Sequence, residues 1–506
     1  MNQKRNQKKW MKLTAWIALF SMIFSLFSPA TSISKAALSP LKYYQQVEKA
    51  NINKQIDSLT KGYSSYISAY QEALKQESGA EVTLKATLDP TFANGLGLEG
   101  LTSLKASVIS MVKGTKTKSA MNFYANDKQL TSVETYADLN GLYYYLIPDL
   151  SKSFLKVSLK DLYANAPSAN LQEEMLNYFN APIPADVLNK ILKKYSAIAI
   201  NKVSNVTMKK DETVTVDKVS SKYTRLTVRI NERTGLNIAN DILKSAQADT
   251  SLRDTLIDLN ICTKTEYNNS IKKAMKDIAS DLKALKKSNG STVLTMSIWV
   301  DKNDNIVGRS IIVNTDKEYL KLGYKTVRKG TTVGLDAWIS EKDYDILRGT
   351  GSFTAKLSGA TGTVKISMQE SSKKSPEVIN VNFKDVKYTQ KDNTGFINGE
   401  FDVTSKLFNG LNIKVKCNGD SNKQDFIFDI LQSGKSLVNI ALTAKEVPYQ
   451  DFSLPTSADK SYDMMTQLNN YLLDADMKGF LQKIKDRSDV KVIDDYIDAI
   501  LKTYVE

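Results

Sequence analysis

Two spacings of hydrophobic residues divide this 506-residue chain into helical and extended segments. Between about 41 and 77, apolar side chains recur every three or four residues, from Ile52 and Ile56 to Tyr66 and Tyr70. This spacing predicts one stripe of an amphipathic helix. Strict alternation begins after Gly79, and it predicts a half-buried antiparallel strand. The apolar side of that strand consists of Val82, Leu84, Ala86 and Leu88.

The same two patterns alternate along the rest of the chain. In one helical stretch, Thr263 and Glu266 have the spacing of a capping box, and Asn289-Gly290 is a stop signal. Polar turns between the extended segments are typical of a meander of hairpins. Extended spacing covers about 105–159, 205–231 and 292–443. Helical spacing covers about 169–196, 236–288 and 457–506.

The order helix, strands, helices, strands, helix predicts an α+β protein. We expect one or two curved antiparallel β-sheets, a half-barrel-like meander, with helices packed on one face. We also expect two similar halves, although no internal sequence repeat demonstrates them. Residues 38–235 would form a helix plus an antiparallel sheet, and residues 236–506 would form helices, a long β-meander and C-terminal helices.

The first 36 residues have the order of charge and hydrophobicity that a cleavable signal peptide requires. Basic residues without any acid precede the apolar run from Leu13 to Phe27, and small residues follow it. We expect cleavage near Ala36, with Ala30 as the alternative, and a retained anchor helix as the competing interpretation. With no cysteine nearby and no later apolar run of membrane-spanning length, we expect a secreted, extracellular protein, either released or wall-associated.

Net charge argues against nucleic acid as a partner. The chain carries +14, but the first 36 residues hold six of its 69 basic groups, so 63 bases against 55 acids leave +8 for the remainder. Only nine basic residues of the whole chain are Arg, the side chain best suited to phosphate and base edges. A Lys-rich exterior would suit anionic cell-wall polymer or a membrane surface, or would simply be solvated.

The chain contains no histidine, which excludes histidine-based general bases, nucleophile activation and metal ligation. Cys262 and Cys417 could pair in an oxidising compartment or be two buried small hydrophobes. No cofactor or metal site is expected. A pair of carboxylates could still hydrolyse glycosides, because that chemistry needs only two acids at the right separation.

Three short strings resemble ligand-binding motifs, and each is better explained by a loop or turn. The glycines of 95–100 match a dinucleotide loop but lack its strand and acidic partner. Residues 433–436 resemble the end of a phosphate-binding loop and fit a hairpin turn. Residues 301–305 resemble the start of a calcium loop, but its required glycine and glutamate are absent.

Aromatic residues supply the candidate ligand contacts. Tyr143 and Tyr145 belong to a segment with apolar or amphipathic side chains on both faces, which is typical of a strand buried between layers or lining a cavity. Trp299 and Trp338 fall on the nominally polar sides of their strands. They indicate that this second face is either covered or a binding surface.

Three segments resemble an uncharacterised family of secreted proteins and lipoproteins of Gram-positive bacteria: Leu142–Ser158, Tyr223–Arg233 and Thr295–Ile311. Members are distantly similar to lipoprotein-carrier half-barrels, in which a curved antiparallel sheet wraps helices and shelters an acyl chain. The resemblance would cover most of the chain beyond residue 36 and implies no catalytic residues. This chain differs from the lipoprotein members in lacking a lipobox cysteine.

These features predict a secreted or cell-envelope-associated, non-enzymatic binding protein that shelters a hydrophobic or lipid ligand in a curved sheet. One alternative is a surface adhesin or scaffold that binds anionic wall polymers. The other is a carboxylate-based glycoside hydrolase.

Overall fold

The computed structural model describes residues 38–73, 75–138, 141–158, 183–259, 261–314, 319–391 and 394–503. These residues form nine α-helices, one 3-10 helix and twenty strands, so the predicted α+β class is confirmed. The predicted signal peptide, residues 1–36, lies outside the described residues, as does much of the helical stretch predicted at 169–196. No helix in the described part of the chain combines the length and hydrophobicity needed to cross a membrane.

The elements follow the chain in this order. The helices are α1 (Pro40–Ala73), α2 (Pro90–Gly95), α3 (Ala185–Lys202), α4 (Glu232–Gln247), α5 (Thr250–Asp258), α6 (Lys264–Ala284), α7 (Leu468–Asp474), α8 (Met477–Arg487) and α9 (Lys491–Thr503), and the 3-10 helix is Lys406–Phe408. The first ten strands are β1 (Glu77–Leu88), β2 (Ser103–Lys113), β3 (Lys116–Ala125), β4 (Lys128–Asp138), β5 (Leu142–Leu146), β6 (Phe154–Ser158), β7 (Val206–Val216), β8 (Val219–Asn231), β9 (Thr292–Val300) and β10 (Ile306–Asn314). The others are β11 (Tyr319–Lys329), β12 (Thr332–Glu341), β13 (Tyr344–Lys356), β14 (Gly359–Met368), β15 (Glu377–Lys391), β16 (Thr394–Ser405), β17 (Leu411–Gly419), β18 (Lys423–Gln432), β19 (Lys435–Val447) and β20 (Ser461–Asp463).

The chain divides into two compact units, each assembled from separate segments. Unit 1 comprises Met1–Ile67, Leu176–Lys356 and Gly362–Asn380, and unit 2 comprises Ser68–Met175, Leu357–Thr361 and Val381–Glu506. The boundary between 235 and 236 that the sequence predicted falls within helix α4 of unit 1.

Each unit contains an antiparallel ladder of strands. In unit 1 the strands pair in the order β7-β8-β9-β10-β11-β12-β13. In unit 2 the order is β6-β5-β4-β3-β2-β1-β19-β18-β17-β16, with the short β20 parallel to β6. The hairpin turn predicted at 433–436 is confirmed, because β18 ends at Gln432 and Ser433 and Gly434 have φ of 50° and 82°.

The core of unit 1 lies between its sheet and the first half of α1. Tyr43, Tyr44 and Val47 of the helix pack against a buried apolar layer of β8 and β9. That layer consists of Leu226, Val228, Ile298 and Val300.

The stripe predicted for α1 is wrong in part. Ile56 is buried, but Leu59 and Tyr66 are exposed, while Glu48 and Asn51 are buried. The reason is that Glu48 and Asn51 bind polar groups that are far away in the sequence. Arg309 of β10 donates to Glu48 Oε1 and Oε2 at 2.6 and 2.8 Å. Burial works to lower the pKa of Arg309, but its attraction to Glu48 outweighs this and raises the pKa.

Candidate functional site

The sheet of unit 2 has one apolar side that runs without interruption across six strands. Directly opposed residues of an antiparallel ladder point to the same side. Leu84 of β1 pairs with Ala106 of β2 and Leu442 of β19, and Leu442 pairs with Phe426 of β18. We call this side the apolar face. Its residues are Val82, Leu84, Ala86, Leu88, Leu104, Ala106, Val108, Met121, Phe123, Ile413, Val415, Cys417, Phe426, Phe428, Ile430, Val438, Ile440 and Leu442.

Part of the apolar face is open to solvent. Five of its large side chains retain between 36% and 49% of their accessible surface: Val82, Leu84, Leu104, Met121 and Phe123. Single exposed hydrophobics are common on protein surfaces, but a contiguous group of them marks an interaction site. The apolar face is therefore the strongest candidate for ligand binding in unit 2.

The opposite side of the same strands is polar. Lys445 Nζ lies 2.9 Å from Glu81 Oε2, and this contact lowers the pKa of the Glu81 carboxyl. Lys105 lies over the ring of Tyr124, 3.7 Å from its centroid. Such cross-strand pairs suit a solvated surface. The contrast between the two sides shows that the hydrophobic character of the apolar face is specific to it.

A pocket of about 560 Å³ lies where β17, β18 and β19 meet α2 and the 3-10 helix. This volume is within the range of about 300–1,000 Å³ that is usual for small-molecule sites. The lining is largely apolar, with Asn409 and Gln432 as its polar residues. Ile430 and Val438 also belong to the apolar face, so the pocket continues it. The other lining residues are Phe92, Leu407, Phe408, Leu411 and Leu437.

Tyr143 and Tyr145 lie on the same side of the sheet as the apolar face. Tyr145 of β5 pairs with Thr135 of β4, and Thr135 pairs with Ser119 of β3. Ser119 lies on the same side of β3 as Met121 and Phe123, because residues two apart on a strand share a side. Both tyrosines are half-buried. Tyr144 points to the other side, where its ring meets Phe154 edge-on with centroids 6.2 Å apart. The structure thus places two predicted ligand contacts beside the apolar face.

Trp299 and Trp338 belong to unit 1 and are only 5% and 7% exposed. They lie on the side of the sheet opposite α1, on either side of Lys325, whose Nζ is 4.3 and 5.7 Å from their ring centroids. Burial lowers the pKa of Lys325. The β7–β8 hairpin covers Trp299 with its own buried side chains, Val214, Val216, Val219 and Tyr223. The burial of both tryptophans agrees with the interpretation that this face of the sheet is covered.

Glycines make room for the two indoles. Gly308 lies opposite Trp299, and Gly323 lies opposite Trp338. At Gly323 an added Cβ would lie 2.5 Å from the Arg309 carbonyl oxygen and 2.7 Å from Trp338 Cζ2. At Gly308 the corresponding distances are 3.0 Å or more.

We therefore expect Gly323→Ala to destabilise the protein by about 1–3 kcal/mol, the usual cost of overpacking. Gly308→Ala is the matched control and should cost less, because its neighbours need to move only slightly. Denaturant unfolding of the two variants measures the difference. Equal stabilities would contradict this account of how the tryptophans pack.

Acidic residues that could take part in catalysis or cation binding lie on a helix and in a turn. Asp281 has a raised pKa, caused by burial and by Asp277, but the two acids lie one turn apart on helix α6 and do not line the pocket. Asp301 accepts hydrogen bonds from the Asn303 and Asn305 amides at 2.8 and 2.9 Å, so it caps its own turn. No cluster of three or more metal-ligating side chains occurs among the described residues.

The remaining sequence features also have structural explanations. The glycines of 95–100 end α2 and form the loop to β2. Cys262 and Cys417 are both free thiols. Cys417 lies on the apolar face, where burial raises its pKa.

Sequence reasoning missed most of the pocket. Phe92, Leu407 and Leu437 come from three separate segments, and only the pairing of β1 with β19 brings the first and last of them together. The alternation of Val82 to Leu88 and of Val438 to Leu442 was the available signal. It identified two apolar strand sides without showing that they are neighbours.

No protein-family model matches the chain, and no curated protein matches it. Similarity to solved structures is weak. A structure described as "Asymmetric conductivity of engineered proteins" is 7% identical, with 74% of this chain and 99% of that chain covered, at a TM-score of 0.12. A multiply substituted porin of Rh. blastica is 8% identical at the same coverage and TM-score. TM-scores this low support no statement about fold or function.

Proposed function

We propose that the protein is a secreted or cell-envelope-associated, non-enzymatic binding protein, and that unit 2 holds a hydrophobic or lipid ligand on its apolar face. The observation that carries the proposal is the continuity of that face with the pocket. Exposed side chains such as Leu84 and Phe123 lead across β19 to Val438 and Ile430 in the pocket wall. Covering them with a hydrophobic ligand would be favourable by about 25 cal/mol per Å² of apolar surface removed from water.

The proposal includes a curved sheet in unit 2. Its support is a local break in strand geometry at β15, where Asp385 has φ of 52°. Gly359 of β14 and Gly399 of β16 lie next to this position and have φ of 143° and 137°. A Cβ on either glycine would collide with the β15 backbone. Glycines and bulges at aligned positions are the usual means of bending a sheet.

Native mass spectrometry of the purified chain tests the proposal. We expect a bound species that adds the mass of a hydrophobic molecule, and organic extraction should recover that molecule. The same preparation should enhance the fluorescence of N-phenyl-1-naphthylamine, an uncharged apolar probe. A chain that carries no adduct and does not bind the probe would overturn the proposal.

The adhesin or scaffold alternative makes a different prediction. Retention on isolated cell walls would fall as salt rises, because contacts between lysines and an anionic polymer are screened. Binding of an uncharged apolar probe to the apolar face would depend little on salt. The two measurements separate the hypotheses on the same protein.

A further inference from the structure

Helix α2 forms one wall of the pocket through Phe92. We propose that α2 is a gate that admits ligand past Phe92, and that the ion pair between Asp89 and Lys435 is its latch. This inference rests on the proposed function, because it concerns access to the same pocket.

The walls of the pocket differ in how they are held. Leu411, Ile430 and Val438 belong to β17, β18 and β19, which are tied together by ladder hydrogen bonds. Phe92 belongs to a helix of six residues between β1 and β2. An isolated helix this short has little stability of its own. Its position therefore depends on its contacts.

Asp89 makes the contacts that fix the start of α2. Its carboxylate accepts the Phe92 amide at 3.0 Å and lies 3.0 Å from Lys435 Nζ. Its own amide donates to the Leu437 carbonyl at 2.9 Å. Lys435 keeps 64% of its side-chain surface in water, so this ion pair is weak and sensitive to salt. A contact of this kind opens readily.

Two glycines in left-handed conformation follow the far end of α2. Gly97 and Gly100 have φ of 75° and 81°, and nothing lies within 4 Å of the place where a Cβ would be. Ala93 is buried, and Leu98 packs against the cluster around Leu101. The segment is thus anchored behind Phe92 by Ala93 and Leu98, while open space lies beside its two glycines. A tilt that withdraws Phe92 fits these restraints better than release of the whole segment.

Stopped-flow binding of N-phenyl-1-naphthylamine to the full chain tests the gate. Asp89→Asn removes the ion pair but retains a good N-cap oxygen for α2. We expect its association and dissociation rate constants to rise together by about two- to fivefold, the effect of losing an exposed ion pair. The Kd should stay within about twofold. Because the probe is uncharged, the change of charge does not alter its attraction to the protein.

Lys445→Met is the matched control, since it breaks the Glu81–Lys445 pair between β1 and β19 on the polar side, away from α2. Its rates should equal those of the unchanged chain. Raising salt from about 0.01 to 1 M should accelerate exchange in the unchanged chain but not in Asp89→Asn. Phe92→Ala should also exchange faster.

Unchanged rates in both Asp89→Asn and Phe92→Ala would overturn the gate. A rise in the dissociation rate alone would also overturn it, because α2 would then be a fixed wall that holds the ligand. If the unchanged chain does not bind the probe at all, the proposed function fails and the gate with it.

Discussion

Replacing Arg309 alone with methionine should lower the free energy of unfolding by about 3–5 kcal/mol. The substitution leaves Glu48, 1% exposed, as a buried acid without its partner. A buried charge that loses its partner costs far more than the ion pair itself contributes. Tryptophan fluorescence during denaturant unfolding is a suitable readout. Of the four tryptophans, two lie within residues 1–36, and Trp299 and Trp338 both belong to unit 1.

The double variant Glu48→Met, Arg309→Met separates the two effects. With both charges gone, two apolar side chains of similar length fill the space, and we expect stability within about 1 kcal/mol of the unchanged chain or above it. Lys445→Met, which breaks an exposed pair, should cost less than about 1 kcal/mol. A loss below about 1 kcal/mol for Arg309→Met would show that Glu48 finds water or another partner.

Placing a charge on the apolar face, or in the pocket that continues it, should weaken ligand binding strongly. We expect Leu84→Lys and Leu437→Lys each to raise the Kd for N-phenyl-1-naphthylamine at least about tenfold, because the ligand would bury an unpaired ammonium. Leu84 is 49% exposed, so a lysine there can extend into water in the free protein. Its folding stability should therefore change little. Fluorescence titration gives the Kd, and denaturant unfolding gives the stability.

Thr87→Lys is the control for this experiment. Thr87 lies on the same strand as Leu84, is exposed, and points to the polar side. It receives the same added charge, so any general electrostatic effect would appear in both variants. Equal affinity in Leu84→Lys and Thr87→Lys would place the ligand away from the apolar face.

Local features of the fold could be predicted from the sequence. The capping box at Thr263 and Glu266 is present, with the Thr263 hydroxyl accepting the Glu266 amide at 3.2 Å. The alternation from Val82 to Leu88 assigned each residue of β1 to its correct side. Both signals depend on residues a few positions apart, which is the range over which spacing carries information.

What covers each face could not be predicted, because that depends on distant residues. Charged side chains such as Glu48 are mostly exposed in proteins, yet Arg309, 261 residues away, holds Glu48 in the core. Conversely, the alternation predicted a half-buried strand with Val82 and Leu84 on its apolar side, and both remain more than 40% exposed. Hydrophobicity identifies a surface whose burial is favourable, but it does not show which residues or which ligand bury that surface.

The same limit applies to the candidate ligand contacts. The sequence grouped four residues because all of them are aromatic: Tyr143, Tyr145, Trp299 and Trp338. Strand register places the tyrosines beside the apolar face of unit 2, while the β7–β8 hairpin covers Trp299 in unit 1. Composition selected aromatic residues, and only the pairing of strands determines which side each one occupies.

Photocrosslinking with a diazirine-bearing fatty alcohol, followed by peptide mapping, tests the central claim most directly. If unit 2 binds apolar ligands on its apolar face and in the adjoining pocket, the labelled residues will be Leu84, Phe123, Phe426, Ile430 or their neighbours on that side, or Leu437 in the pocket. Labelling should decrease in Leu84→Lys and persist in Thr87→Lys. Labels confined to the polar side, or found only in unit 1, would contradict the claim.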